Sequence, residues 1–174
     1  NDLLVSILSN RVHPTRKNSL FVKLRGPIHD LIFQQVIKSR KWEYFSSPSN
    51  LSKITPPKMG FHITSKVDKS AYQGQIITYK VSPLPFIKTN WVTEITAVKN
   101  QEFFIDEQRF GPYSMWHHEH FFEALPNGKT LMKDKVSYKI PFGFLGSLAQ
   151  FLFIKKQLLS IFTYREQQLD LLFD

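Results

Sequence analysis

The chain contains no cysteine. Disulfide bonds and thiolate-bound zinc or iron–sulfur sites are therefore excluded, and the absence fits a reducing compartment. No apolar run reaches the roughly 18–20 residues that cross a bilayer, because the nearest stretch, Ile140–Ile154, is interrupted by Pro141, two glycines and polar residues. Asn1–Asn10 has an apolar patch but lacks the basic start and cleavage pattern of a secretory signal. We therefore expect a cytoplasmic protein with no stable membrane insertion.

Acidic residues are fewer than basic ones: the chain has 14 Asp and Glu but 23 Lys and Arg, which gives a formal net charge of +9. Such a balance suits anionic partners. The basic residues are nevertheless scattered in pairs such as Arg16-Lys17, Arg40-Lys41 and Lys155-Lys156 rather than collected in tracts. We interpret the charge as a solvated surface and expect no nucleic-acid partner.

Glycine-rich phosphate loops, serine-nucleophile motifs and paired catalytic carboxylates are also missing, so no cofactor is expected. The composition is still that of a folded chain, because 42% hydrophobic content and 16 Phe in 174 residues suffice for one substantial core. We predict a single domain over residues 29–174, preceded by a segment, 1–28, with no clear assignment.

The final stretch, Gly143–Phe173, predicts a long helix with one apolar face. Its apolar residues recur in steps of three, four and seven, the period of an amphipathic helix. They are Leu148, Phe151, Leu152, Leu158, Leu159, Phe162, Leu169, Leu172 and Phe173. At 1.5 Å per residue such a helix would be about 45 Å long. It must therefore lie across an apolar surface provided by the rest of the chain.

The preceding part of the chain predicts an antiparallel sheet. Asp30–Ile37 is rich in β-formers and predicts a first strand, followed by two short helical pieces at Trp42–Phe45 and Ser49–Ile54. Alternating runs between turn signals then predict six strands at Gly60–Ser65, Gln75–Val81, Thr89–Val98, Glu102–Phe110, Ser114–Ala124 and Lys129–Ile140. This order predicts an α+β fold in which neighbouring strands form a meander and the terminal helix covers one sheet face.

Strand alternation predicts an unusual set of polar residues on the covered face. That face comprises Trp116, His118, His120 and Phe122 on one strand and Met132, Asp134, Val136 and Tyr138 on the next. Buried polar groups among aromatic residues require hydrogen-bond partners. We therefore predict a contact between histidine and Asp134 across the two strands.

Three interpretations of His118, His120 and Asp134 remain open. They form a buried polar network, or they orient an apolar ligand as the few polar groups of a cavity, or they act as acid and base or as metal ligands. A His-x-His pair on a strand is able to bind zinc, but spacing alone identifies no third ligand, so no metal site is predicted.

Four stretches carry a resemblance to a known superfamily. They are Phe45–Pro57, Asp106–Tyr113, Trp116–Phe122, and Phe142–Gly146 together with Phe153–Gln157. With the order of elements, they resemble the helix-grip fold of the START/Bet v 1-like (SRPBCC) superfamily. More narrowly they resemble its bacterial ligand-binding branch, often labelled polyketide cyclase/dehydrase-like or cell division inhibitor. The resemblance covers about Asp30 to Phe173 and implies a curved antiparallel sheet wrapped around a long C-terminal helix.

A sheet that grips one helix leaves interior space bordered by large aromatic residues. The function expected is therefore binding of a small hydrophobic molecule, lipid- or polyketide-like, between sheet and helix. The residues expected to line the cavity are Trp116, His118, His120, Phe122, Asp134 and Tyr138, with Trp91, Phe104, Phe151 and Phe162 as further candidates. The alternative is a cyclase/dehydratase- or hydrolase-like enzyme, because superfamily members with one fold perform different chemistry. In that case His118 or His120 is the general base, oriented by Asp134.

Overall fold

The computed structural model describes residues 27–38, 42–84, 87–142, 146 and 148–173. Within these ranges, seven strands form one antiparallel sheet in the order β1-β7-β6-β5-β4-β3-β2. The strands are β1 (His29–Ile37), β2 (His62–Ile63), β3 (Ile76–Leu84), β4 (Ile87–Lys99), β5 (Phe103–Phe110), β6 (Met115–Ala124) and β7 (Thr130–Lys139). The predicted meander is confirmed for β2 to β7, and β1 pairs with β7.

Short helical elements connect β1 to β2, and a longer helix follows the sheet. They are α1 (Trp42–Phe45), 3₁₀ turns at Pro48–Ile54, Pro57–Met59 and Pro126–Gly128, a π turn at Gln150–Ile154, and α2 (Lys155–Phe173). Each 3₁₀ turn begins at a proline, whose fixed φ and missing N–H suit the first helical position. The predicted order of one strand, two helical pieces, six strands and one helix is confirmed, and the fold class is α+β.

A further turn follows the two predicted helical pieces. Pro57 begins a 3₁₀ turn that closes at Gly60. Gly60 has a φ of +53°, which a residue without a Cβ adopts at little cost. The turn returns the chain to the edge of the sheet, where β2 pairs with β3.

Irregular pairing bends the sheet around α2. The register of β4 with β5 shifts between Val92 and Thr93 and again between Ile95 and Ala97. Such bulges add a residue to one strand and increase the local twist. The helix lies on the resulting concave face, where the rings of Phe33 and Phe162 stack with centroids 3.8 Å apart. This is the helix-grip arrangement.

The buried stripe of α2 consists of Leu158, Phe162, Arg165 and Leu169, spaced by four, three and four residues. The predicted single apolar face from Gly143 onward is wrong at its ends, because Leu148, Leu152 and Leu172 are 47%, 43% and 47% exposed. The π turn at Gln150–Ile154 holds an extra residue and rotates the preceding side chains away from the stripe. At the other end, Phe173 rather than Leu172 packs against the core.

Two apolar clusters fill the space between sheet and helix. The Phe122 cluster consists of Ile37, Phe45, Ile54, Ile77, Ile95, Phe104, Phe122, Met132 and Leu169. The Tyr138 cluster consists of Leu31, Val136, Tyr138, Leu158 and Phe162. Along β6, β7 and α2, polar residues occupy the positions between the clusters, so a polar layer crosses the interior.

Some expectations concern parts outside the described residues. These are the N-terminal segment up to residue 26, residues 143–145 and 147 at the start of the predicted helix, and the side chain of Phe151. In the part of the chain that the structure describes, no helix combines the length and apolar character needed to cross a membrane.

The packing of α2 leads to a stability prediction. Leu169 is 0% exposed and Leu171 is 80% exposed on the same helix. We expect Leu169→Ala to lower the free energy of unfolding by about 2–5 kcal/mol, because it deletes buried methyl groups and leaves a void. The matched control Leu171→Ala should change it by less than about 0.5 kcal/mol. Urea-induced unfolding measures both, and similar losses for the two variants would contradict this placement of α2.

Candidate functional site

A cavity of about 190 Å³ lies between the sheet and α2. Aromatic side chains from the strands, including Trp91 and Trp116, form one wall, and Leu158 and Phe162 of α2 form another. The 3₁₀ turn Pro48–Ile54 contributes further apolar lining. The cavity therefore has a largely apolar wall, as small-molecule sites do.

The structure places the candidate residues in three environments. Trp91, Phe104, Trp116, His118, His120 and Phe162 line the cavity. Phe122 and Tyr138 belong to the two apolar clusters and lie outside the cavity wall. Asp134 is also outside the wall, behind the two histidines, and is 1% exposed.

The polar layer is centred on Asp134 and Asp106. His118 Nε2 lies 3.1 Å from Asp134 Oδ1, which is the predicted contact across β6 and β7. His120 Nε2 lies 2.8 Å from Asp106 Oδ2. His120 Nδ1 also lies 2.7 Å from Asp134 Oδ1, but this contact lacks hydrogen-bond geometry and is electrostatic. The two imidazole rings are tilted by 39° to each other, with centroids 3.7 Å apart.

A cation from α2 completes the layer. Arg165 Nη1 lies 3.4 Å from Asp134 Oδ1, and the arginine side chain is buried on the inner face of the helix. Its guanidinium carbon is 5.9 Å from the centroid of the Phe162 ring. The contact with Asp134 therefore joins α2 to the centre of the sheet.

Sequence reasoning missed Asp106 and Arg165, although both left a signal. Asp106 is two residues after Phe104 on β5, so strand alternation directs both side chains to the same face. Arg165 is seven residues after Leu158 and four before Leu169, which places it in the apolar stripe of α2. A charged residue inside such a stripe indicates a buried partner.

Sequence reasoning also missed Tyr79 and Tyr113, which line the cavity. The Tyr79 hydroxyl lies 3.0 Å from Thr93 Oγ1, another lining atom. Burial raises the pKa of both phenols, so both stay protonated at neutral pH. Tyr113 lies in the turn between β5 and β6, and side chains of turn residues have no strand periodicity to indicate their direction.

The environment keeps both carboxyl groups ionised. Burial opposes ionisation of Asp134, but Arg165 and the contacts with His118 and His120 hold the pKa of its carboxyl well below the ordinary value. Burial likewise opposes ionisation of Asp106, and its hydrogen bond with His120 is the main cause of a lowered pKa.

The surroundings shift the pKa values of the two histidines in opposite directions. Burial, followed by the charge of His120, lowers the pKa of His118. Burial also opposes charge on His120, but its contacts with Asp106 and Asp134 outweigh burial and raise the pKa. The contacts of His120 with both carboxylates and of Arg165 with Asp134 favour a layer of two carboxylates, protonated His120, Arg165 and neutral His118, in which positive and negative charges balance.

The same residues supply the third potential metal ligand that spacing alone did not identify. Asp106, His118 and His120 each offer a ligand atom, and these atoms lie within 4.8 Å of one another. A divalent ion would replace one proton on His120 and add a net positive charge next to Arg165. The charge balance therefore favours the protonated network over a metal centre.

Comparisons with known proteins identify the fold. No family model matches the chain, and no curated protein matches it. A solved structure from Chromobacterium violaceum is similar with a TM-score of 0.62 at 13% identity, covering 83% of this chain and 96% of that one. Ginseng major latex-like protein 151 from Panax ginseng is similar with a TM-score of 0.61 at 14% identity, covering 85% and 99% of the two chains.

A third similar structure is a point mutant of norcoclaurine synthase from Thalictrum flavum in complex with a transition-state analogue. It has a TM-score of 0.58 at 12% identity, and the match covers 82% of this chain and 94% of that one. The predicted helix-grip fold is confirmed by these likenesses. At such low identity they show the fold alone, and membership of the START/Bet v 1-like superfamily and of its bacterial branch stays a prediction.

The opposite shifts of the histidines lead to a prediction for NMR. In a pH titration of the imidazole resonances, His120 should stay protonated above the ordinary pKa of 6.5, and His118 should stay neutral below it. A raised pKa means that protonation of His120 stabilises the fold below pH 6.5 and that this contribution is lost as pH rises through the folded pKa. The lowered pKa of His118 has the opposite effect. Its neutral form stabilises the fold above pH 6.5, and this contribution is lost as pH falls through the folded pKa.

The substitution Asp134→Asn tests whether the Asp134 carboxylate contributes to the raised pKa of His120. Removing this carboxylate should lower the pKa of His120, since Asp134 is one of the two groups that raise it. Two histidines that titrate together in the unsubstituted protein would contradict the charge distribution described for the layer.

Proposed function

We propose that this protein binds a small hydrophobic molecule in the cavity between the sheet and α2. The observation that carries the proposal is a cavity with a largely apolar, aromatic wall and a few polar groups concentrated in one layer. Protein sites for small molecules have this composition, because apolar contacts provide affinity and a few polar groups orient the ligand. A transition-state analogue bound to norcoclaurine synthase, a protein of the same fold, supports a small molecule as the occupant.

The cavity volume limits the size of the ligand. At about 190 Å³ the space exceeds an engineered cavity of about 150 Å³ that binds benzene, but it is below the roughly 300–1,000 Å³ of common ligand pockets. A molecule of one or two rings, or a short acyl chain, fits this volume. A full-length membrane lipid does not fit unless the cavity widens.

An enzyme of the cyclase/dehydratase or hydrolase kind is the second candidate. The observation in its favour is that His118 lines the cavity and bonds Asp134 through Nε2, as a general base held by a carboxylate does. In a dehydration, neutral His118 would remove a proton from the carbon next to a carbonyl. Protonated His120 would supply a proton to the leaving hydroxyl, which departs as water.

Mass spectrometry separates the two candidates. A pure binder returns 4-hydroxy-4-phenylbutan-2-one, a one-ring β-hydroxy ketone, unchanged after incubation. Loss of one water molecule that depends on His118, and is abolished in His118→Gln, would favour the enzyme. The folded state of the variant is checked by its unfolding curve.

Filling the cavity should abolish binding. Val81 lines the cavity on β3, whereas Val92 lies between Trp91 and Thr93 on β4 and faces the opposite side of the sheet. We expect Val81→Phe to weaken binding of 2-isopropenylnaphthalene by at least about tenfold, about 1.4 kcal/mol, because the added ring occupies the ligand's space. Equilibrium dialysis measures the affinity.

Val92→Phe is the matched control and should bind the probe as the unsubstituted protein does. Thermal unfolding of both variants tests whether each is folded, since overpacking a core costs about 1–3 kcal/mol. No binding of the probe by the unsubstituted protein, or equal binding by the two variants, would contradict the proposed site.

A further inference from the structure

Three buried side-chain nitrogens at the cavity have no hydrogen-bond partner among the described residues. One of them, His120 Nδ1, lies 2.7 Å from the Asp134 carboxylate. The other two are Nε1–H of Trp91 and Nε–H of Arg165. Both residues line the cavity, and they are only 8% and 9% exposed. Buried donors are nearly always paired because an unpaired one loses its hydration without compensation. Each of these donors is therefore able to bind an acceptor supplied by an occupant of the cavity.

The neighbours of Trp91 do not satisfy its indole. The ring packs between the aromatic side chains of Tyr79, Tyr113 and Trp116, with centroids 5.8, 5.6 and 5.4 Å away. The hydroxyl of Tyr79 is already engaged with Thr93. An indole has one donor and no acceptor, so only an incoming acceptor completes its hydrogen bonding.

Arg165 is only partly satisfied as well. Its Nη1 faces Asp134 at 3.4 Å, whereas Nε has no partner. A guanidinium has five N–H donors in a fixed plane, so a second acceptor is able to bind without displacing Asp134. The residue thus offers a donor to the cavity while it keeps its structural contact.

The charge balance of the polar layer decides which kind of acceptor fits. Asp106 and Asp134 are compensated by Arg165 and His120, and the neighbouring phenols of Tyr79 and Tyr113 are neutral. A charged ligand group would add an uncompensated charge to a buried site, which is costly. A carbonyl oxygen accepts hydrogen bonds without adding charge.

We propose that the cavity selects a neutral molecule of one or two rings that carries a carbonyl-type acceptor, which accepts a hydrogen bond from the free N–H of Arg165, of Trp91, or of both. The inference rests on the proposed binding function and specifies its ligand class. The apolar rings of the ligand occupy the aromatic part of the cavity, and its oxygen lies towards these donors.

Three probes of nearly equal shape test the proposal. 2-Acetonaphthone carries a neutral carbonyl, 2-isopropenylnaphthalene replaces the oxygen with a methylene group, and 2-naphthoate carries an anion. In equilibrium dialysis at neutral pH, we expect the ketone to bind about tenfold more tightly than the alkene, the usual effect of one hydrogen bond to a buried donor. The naphthoate should bind more weakly than the ketone.

Two conservative variants identify the donors. Arg165→Lys keeps the positive charge near Asp134 but removes Nε–H, and Trp91→Phe removes the indole N–H. The measured quantity is the affinity for the ketone divided by the affinity for the alkene. A change in cavity volume affects the binding of both probes, so its effect cancels in this ratio. We expect the ratio to fall towards one in at least one of the variants.

Matched controls are Arg109→Lys, at an exposed arginine bonded to Glu94 and Glu107, and Trp42→Phe, at a tryptophan outside the cavity wall. Both should keep the ketone preference. Three results would overturn this proposal while leaving the binding function intact. They are equal binding of ketone and alkene by the unsubstituted protein, a ketone preference that survives in both test variants, and tighter binding of the naphthoate than of the ketone. Failure of all three probes to bind would overturn both.

Discussion

The interior of this protein depends on the compensation of two buried carboxylates. Asp106 on β5 and Asp134 on β7 face the space beneath α2, where an unpaired negative charge would be prohibitively costly. One compensating charge comes from His120 on β6 and the other from Arg165 on α2. Because the second contact joins helix to sheet, it fixes both the rotation of α2 about its axis and its position along the strands. Apolar packing alone would allow alternatives, since leucine and phenylalanine side chains contact many neighbours with similar energy.

The same charges explain why the interior is not filled completely. Aromatic residues cannot occupy the polar layer without leaving its N–H groups and carboxylates unpaired, and the layer separates the Phe122 cluster from the Tyr138 cluster. Space remains next to the layer, bordered by large rings whose shapes do not interlock fully. The arrangement brings an apolar volume and a small number of hydrogen-bonding groups together, which is the combination that selective recognition of a small molecule requires.

Most of the fold followed from short-range patterns in the sequence. Alternation in β6 and β7 correctly directed His118, His120 and Asp134 to the covered face, because a period of two residues decides the side of a strand. The length of the buried stripe of the C-terminal helix was not predictable in the same way. The π turn at Gln150–Ile154 rotates the residues before it relative to those of α2. Arg165 was overlooked because it is charged, although its spacing matches the buried stripe. Distances between strands far apart in sequence, and hence the cavity volume, depend on sheet curvature, which periodicity does not encode.

The contact between Arg165 and Asp134 has a consequence for how molecules would exchange with the cavity. Lifting α2 away from the sheet would separate opposite charges in a medium of low polarity, so that motion carries a high barrier. The 3₁₀ turns Pro48–Ile54 and Pro57–Met59 also border the cavity. Their backbone hydrogen bonds are local, and Pro57–Met59 has no buried residue. Local opening of such a short turn costs less than separating packed elements. If a molecule binds in the cavity, its residence time would then depend on this turn more than on the helix.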